Sequence, residues 1–187
     1  MSDNTAESGG DARAATAHPN DRVAPSQTTT ALSHVDESGA ARMVDVSAKD
    51  VTARTAVATG TLRTTGEVIG LLSANGLPKG DALATARIAG VMGAKRTSEL
   101  IPLCHQIALT KVDVGFELGS DSVRIEATAR TSDRTGVEME ALTAVAVAGL
   151  TLHDMIKAVD PAATLDGVRL EAKDGGKTGR WRREENA

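Results

Sequence analysis

Up to about residue 31 the chain shows neither a helical nor a strand period. It is a run of Ala, Thr, Ser, Asp, Asn and Gly broken by Pro19 and Pro25. Such a segment buries too little apolar surface to offset its conformational entropy, so residues 1–31 are expected to form a disordered tail. The expected folded domain runs over 32–183, with 184–187 as a short C-terminal tail. After an irregular stretch, Thr52 to Arg63 alternates small apolar and polar residues, the period of a half-buried strand. Thr65 to Asn75 reads as a short helix stopped by Gly76 and Pro78. Asp81 is a natural N-cap for a second helix. That helix carries Leu83, Ile88, Val91 and Met92 at three- and four-residue steps and is expected to end at Pro102.

Two further alternating runs, Ile107 to Leu118 and Ser122 to Thr131, flank Gly119-Ser120-Asp121, which signals a hairpin. From Gly136 to Val159 a helical pattern of Ala, Val and Leu is apolar on nearly all sides in its middle. It is expected to be buried, in part at a subunit contact, and to end at Asp160-Pro161. Val168 to Ala172 is a last short strand before a loop rich in Gly and Lys. The order β-α-α-β-β-α-β fits an α+β fold of the split β-α-β kind, an antiparallel sheet with helices packed on one face.

Composition sharpens this picture. Hydrophobic residues make up 41% of the 187 positions, which suits a globular chain, but aromatics make up only 1%: Phe116, Trp181 and no tyrosine. The core must come from small side chains that bury little area each, which predicts a partner subunit that completes it. A net charge of −4 gives no general affinity for nucleic acid or a membrane surface, so any basic site is local. The lone Cys104 forms no internal disulfide, and the N-terminus has no apolar leader; both point to the cytoplasm.

Polar groups cluster beside structure-breaking residues at five places. Lys79-Gly80-Asp81 opens a helix, where exposed N–H groups and a lysine suit an anion; the same string also reads as a capped turn with a solvated lysine. His105 follows Pro102-Leu103-Cys104 at the mouth of a strand and is either a proton-handling or a structural histidine; Cys104 reads as a small hydrophobe. Glu138, Met139 and Glu140 start the long helix, where the carboxylates either complement its dipole or accept hydrogen bonds from a purine edge. Asp154 and Lys157, three residues apart near the end of that helix, share a face. Apolar neighbours suggest a partly buried acid–base pair there, against the alternative of an ordinary surface ion pair. Lys173 and Lys177 flank Asp174-Gly175-Gly176, a backbone free to wrap an anion or a flexible basic tail. The sequence contains no P-loop, nucleophilic triad, zinc motif or dinucleotide fingerprint.

At these same residues the chain resembles the cyclic pyranopterin monophosphate synthase family, molybdenum cofactor biosynthesis protein C. The resemblance is carried by Met43-Val-Asp-Val-Ser-Ala-Lys49, Lys79-Gly-Asp81, Ala84-Thr-Ala-Arg-Ile-Ala-Gly90, Leu100-Ile-Pro-Leu-Cys-His105, Thr135-Gly-Val-Glu-Met-Glu-Ala-Leu-Thr143, Asp154-Met155 with Lys157-Ala-Val159, and Lys173 with Gly175-Gly-Lys177. It runs from about Leu32 to Arg180. It implies a ferredoxin-like fold assembled as a homohexamer, a trimer of dimers, with active sites at dimer contacts. It also implies conversion of (8S)-3′,8-cyclo-7,8-dihydroguanosine 5′-triphosphate to cyclic pyranopterin monophosphate and pyrophosphate. The family's catalytic aspartate falls on Asp154 and its functional lysines on Lys79 and Lys157. Its substrate contacts fall on Leu103, Cys104, His105, Met139 and Glu140, with Glu138 beside them, and Arg54, Lys173 and Lys177 are expected triphosphate partners. The chain departs from the family pattern at Gln106, where proline is usual, at Ser33-His34 in place of Thr-His, and at Asp174 in place of serine. No cofactor is expected. Magnesium can accompany the triphosphate, and no carboxylate cluster demands a protein-bound ion.

Two other classes remain open on sequence. A regulatory module that senses a nucleotide would share the lysine loops and the helix-start carboxylates. A purely structural subunit would share the apolar helix. Asp154 paired with Lys157, together with His105, is the feature neither needs.

Overall fold

In the computed structural model, residues 40–177 and 179–184 are described, all within the unit Ser33–Ala187. The expected tail over 1–31, Ser33-His34 and the last three residues lie outside them. The elements are β1 (Thr52–Arg63), α1 (Gly66–Ser73), α2 (Ala82–Lys95), α3 (Thr97–Leu100), β2 (Leu109–Leu118), β3 (Ser122–Asp133), α4 (Glu138–Ile156), β4 (Thr164–Asp174) and β5 (Trp181–Arg182). The strands form one sheet in the order β2-β3-β1-β4-β5, antiparallel at every pairing. β1 and β2, joined through the helices, run parallel with β3 between them, which is the split β-α-β arrangement of a ferredoxin-like α+β fold.

Alternation along the strands sets the layers. Ala56, Ala58 and Leu62 of β1 and Val123, Ile125, Ala127 and Ala129 of β3 are fully buried beneath the helices. Arg124 and Glu126, between the buried positions of β3, pair on the other side, as Arg169 and Glu171 of β4 do, in keeping with period-2 geometry. α4 lies across β1, β3 and β4, with Ala141, Ala144, Val145, Ala148, Leu152 and Ile156 buried. By length and apolarity α4 matches a membrane span, but half of it is buried inside the domain, as a core helix is.

Four sequence expectations need correction. α2 does not run to Pro102: it stops at Lys95, because Thr97 Oγ1 takes the Ala94 carbonyl (3.0 Å) and a separate turn, α3, follows. Of the four large apolar residues expected on the buried face of α2, Leu83 and Val91 pack against the core and Ile88 and Met92 do not. Ile88 and Met92 are 62% and 48% exposed, while Ala82, Ala86, Gly90, Gly93 and Ala94 pack inward. Small residues win because the backbones of α2 and α4 approach closely: a Cβ on Gly90 would sit 2.9 Å from the Ala144 carbonyl oxygen. β4 is twice the expected strand, and its first half was hidden by Gly167, with φ of 60°, and by register irregularities against β1. β5 pairs with β4 at Ala172 and Lys173 and was not anticipated.

Gly90→Val is therefore expected to force α2 and α4 apart at a cost of about 1–3 kcal/mol. Thermal unfolding should move down by roughly 2–4 °C per kcal/mol. An unchanged midpoint would show that the two helices do not approach this closely.

Candidate active site

Two groups of side chains form at opposite ends of α4. At its C-terminal end, Asp154 is held by two lysines. Lys157 Nζ lies 2.8 Å from Oδ1, and Lys79 Nζ donates both to Oδ2 at 2.9 Å and to the Asp154 carbonyl at 2.8 Å. Lys79 arrives from the turn before α2, which Asp81 caps by accepting from the Ala84 amide at 2.9 Å. That turn thus supplies a lysine to a carboxylate 75 residues away rather than an anion site of its own. The two ammonium groups hold the Asp154 carboxyl down at about 2, first through the hydrogen bonds from Lys157 and Lys79 and then through their charges. Asp154 is consequently a carboxylate at neutral pH, a proton acceptor in its resting form.

The expected burial of this pair is not what the chain provides. The side chains of Asp154, Lys157 and Lys79 are 56%, 54% and 43% exposed. Apolar neighbours in sequence do not bury them because Leu152, Met155 and Ile156 occupy the inward face of α4, and the polar residues between them project from the opposite face.

At the N-terminal end of α4 a cavity of about 380 Å³ is lined by Leu103, Cys104, His105, Glu138, Met139 and Glu140, together with Val44, Val46, Lys49, Thr135 and Gly136. Six of the nine expected substrate contacts are therefore in one place, and Arg54, Lys173 and Lys177 are not among its lining. His105 Nε2 is 2.7 Å from the Val44 carbonyl. Since a carbonyl only accepts, Nε2 carries the proton and the ring orientation is fixed. Asp45, next to Val44, is held below its ordinary range, chiefly by hydrogen bonds from Ser47 and to a smaller extent by His105. Burial, with Glu140 adding to it, pushes the Cys104 thiol up, so it behaves as the small hydrophobe its sequence suggested.

Glu140 is 4% exposed. Desolvation, reinforced by the charge of Glu138, pushes its carboxyl up to about 7, against a lowering hydrogen bond from its own backbone. Glu138 is engaged instead with Lys173, 3.0 Å away. A second, smaller cleft beside the cavity is lined by Arg54, Glu138, Lys173, Asp174 and Gly175. Arg54 donates from Nε to the Asp133 carbonyl (3.0 Å) and from Nη2 to the Arg134 carbonyl (3.1 Å). Lys177 is exposed in the loop beyond. Lys49, Thr135, Val44 and Val46 carried no role on sequence. They lay inside the strings Met43–Lys49 and Thr135–Thr143, but only the fold brings those segments to one cavity.

The two groups do not meet in a single chain. Glu140 and Asp154 are fourteen residues apart on one helix, about 21 Å along its axis.

Against known proteins, a model described as the MoaC family matches residues 43–176. The chain is 65% identical over 152 residues to "Cyclic pyranopterin monophosphate synthase 2" of Mycobacterium tuberculosis, spanning 81% of this chain and 91% of that protein. It is 59% identical over 168 residues to "Cyclic pyranopterin monophosphate synthase" of Streptomyces griseus (90% and 95% of the two chains). The Streptomyces coelicolor protein of the same name is 62% identical over 152 residues (81% and 89%).

Proposed function

The chain belongs to the MoaC family, and from that membership we infer that it is a phosphorus–oxygen lyase of molybdenum cofactor biosynthesis. It converts (8S)-3′,8-cyclo-7,8-dihydroguanosine 5′-triphosphate to cyclic pyranopterin monophosphate and pyrophosphate. The activity rests on the shared name of its close relatives. On the structural side the carrying observation is the Lys79–Asp154–Lys157 cluster, two lysines from distant segments drawn onto one carboxylate. A nucleotide sensor or a structural subunit has no use for it.

We assign the roles as follows. The cavity at the start of α4 takes the base, with Glu140 accepting from its N–H edge, His105 orienting it, and Leu103, Cys104 and Met139 as apolar walls. Asp154 accepts protons and Lys157 donates them during opening of the imidazole-derived ring and closure of the pterin. A ribose hydroxyl attacks the α-phosphorus and gives its proton to Asp154. The bond to the β-phosphate breaks, and pyrophosphate leaves with the electron pair. Lys79, with Lys173 and Lys177, stabilises the charge that develops on it. Magnesium enters with the triphosphate, and no resident cofactor is invoked. The reaction is assigned to the cytoplasm.

Because 21 Å separates the base cavity from the acid–base cluster on one helix, a second copy must bring its Asp154 end to the first copy's cavity. A two-fold pair does this twice, giving two equal sites. The assembly proposed is a homohexamer built from three such dimers, and packing of the second copy supplies the shielding that Asp154 lacks in the single chain.

Two experiments test this. Incubation with the cyclic nucleotide, followed by mass spectrometry, is expected to yield pyrophosphate and the cyclic phosphate; unaltered nucleotide would refute the activity. Asp154→Asn and His105→Ala, each inactive alone, are expected to recover activity when co-expressed and purified through separate tags. A mixed dimer then holds one site with both native groups. No recovery would place the whole site within one protomer.

A further inference from the structure

Arg54 sits on β1 between β3 and β4. Its fork is spent on backbone: the Asp133 and Arg134 carbonyls end β3 and begin the turn that leads through Thr135 and Gly136, a wall of the base cavity, into α4. From the other side the glycine loop after β4 closes over the same strand. A Cβ on Gly176, which has φ of 70°, would collide with the Arg54 guanidinium, and one on Gly175, with φ of 96°, would collide with the Ala53 carbonyl oxygen. The half-buried Lys173–Glu138 ion pair, 3.0 Å long, joins the same two segments.

We propose that Arg54 is a positioning residue: it fastens the cavity wall at Arg134–Gly136 to the glycine loop, so that Lys173 and Lys177 hold a fixed register against the base site. This rests on the function proposed above and replaces the expected role of Arg54 as a triphosphate partner. The chemistry favours arginine specifically. Its planar fork meets two carbonyls at once while the remaining nitrogen packs on a residue with no side chain; a lysine keeps the charge but not that geometry.

Arg54→Lys, Arg54→Gln and Gly176→Ala test it. Hydrogen exchange on the ligand-free enzyme is expected to rise about tenfold or more at 133–136 and 173–177, with the β2–β3 hairpin unchanged. Turnover should fall up to about 10²-fold, the cost of a small misplacement, and Arg54→Lys should be no better than Arg54→Gln. Gly176→Ala should reproduce the effect alone and add little to Arg54→Gln, because both break one contact. Arg54→Lys with wild-type turnover beside an impaired Arg54→Gln would overturn the proposal in favour of a charge role. So would unchanged exchange in all three variants, or raised exchange without loss of turnover. The exchange measurement needs no substrate, so it fails or succeeds independently of the assigned reaction.

Discussion

Asp154→Asn is expected to lower turnover by about 10²–10⁴, the contribution of one positioned acid–base group, while the protein folds and melts as the wild type does. The carboxylate is more than half exposed, so its amide isostere leaves the packing of α4 intact. What disappears is a proton acceptor kept ionised by two ammonium groups at 2.8 and 2.9 Å. With its carboxyl held near 2, Asp154 stays charged throughout the working range. Any acid limb of kcat/KM between pH 5 and 8 must therefore belong to another group. Steady-state kinetics with circular dichroism melting decides the matter, and a variant with native turnover would remove Asp154 from the chemistry.

Glu140→Gln should change how stability responds to pH, by up to roughly 3 kcal/mol, the equivalent of a carboxyl moved from 4.5 to about 7. The sign follows from which state holds the proton. Between pH 4.5 and 7 the unfolded chain has released it and the folded chain still binds it, so the wild type loses stability as pH rises through this window and levels off above it. The glutamine variant has no such slope. Burial is the largest cause of the raised carboxyl, Glu138 adds to it by repelling the charge, the hydrogen bond from its own backbone opposes both, and among the described residues no cation forms an ion pair with it, Lys173 being paired with Glu138. Urea unfolding of both proteins at pH 5, 6, 7 and 8 measures the difference, and parallel curves would show Glu140 ionised in the folded state. In the function proposed above, N–H donors on the substrate would offset this cost.

Much of this was legible before folding. β3 alternates because one face meets the core and the other meets water, and the ends of β1 and of the β2–β3 hairpin fell within a few residues of the expected ones. Asp81 caps α2 as its position before Ala82 predicted. The buried face of α2 was legible only in part. Periodicity weights large apolar residues, yet the contact with α4 is decided by how closely two backbones approach, and that favours Gly90 and Gly93 over Ile88 and Met92. β4 escaped because its glycine and charged residues mask alternation that only pairing with β1 reveals.

The same division holds for the site. Sequence alone determined which groups are present and their local partners: Asp154 with Lys157 one helical turn away, and Glu138 with Met139 and Glu140 at a helix start. These are consequences of a 3.6-residue period and need no tertiary contact. The tertiary structure decided everything that depends on long-range closure. It brought Lys79 to Asp154, gathered Lys49, His105 and Glu140 around one cavity, bound Arg54 to carbonyls, and exposed the Asp154–Lys157 pair that the sequence had suggested was buried. Proximity between residues far apart in the chain is fixed by how sheet and helices pack, and a residue's exposure is fixed by which face that packing uses. Neither is written in the neighbours along the chain.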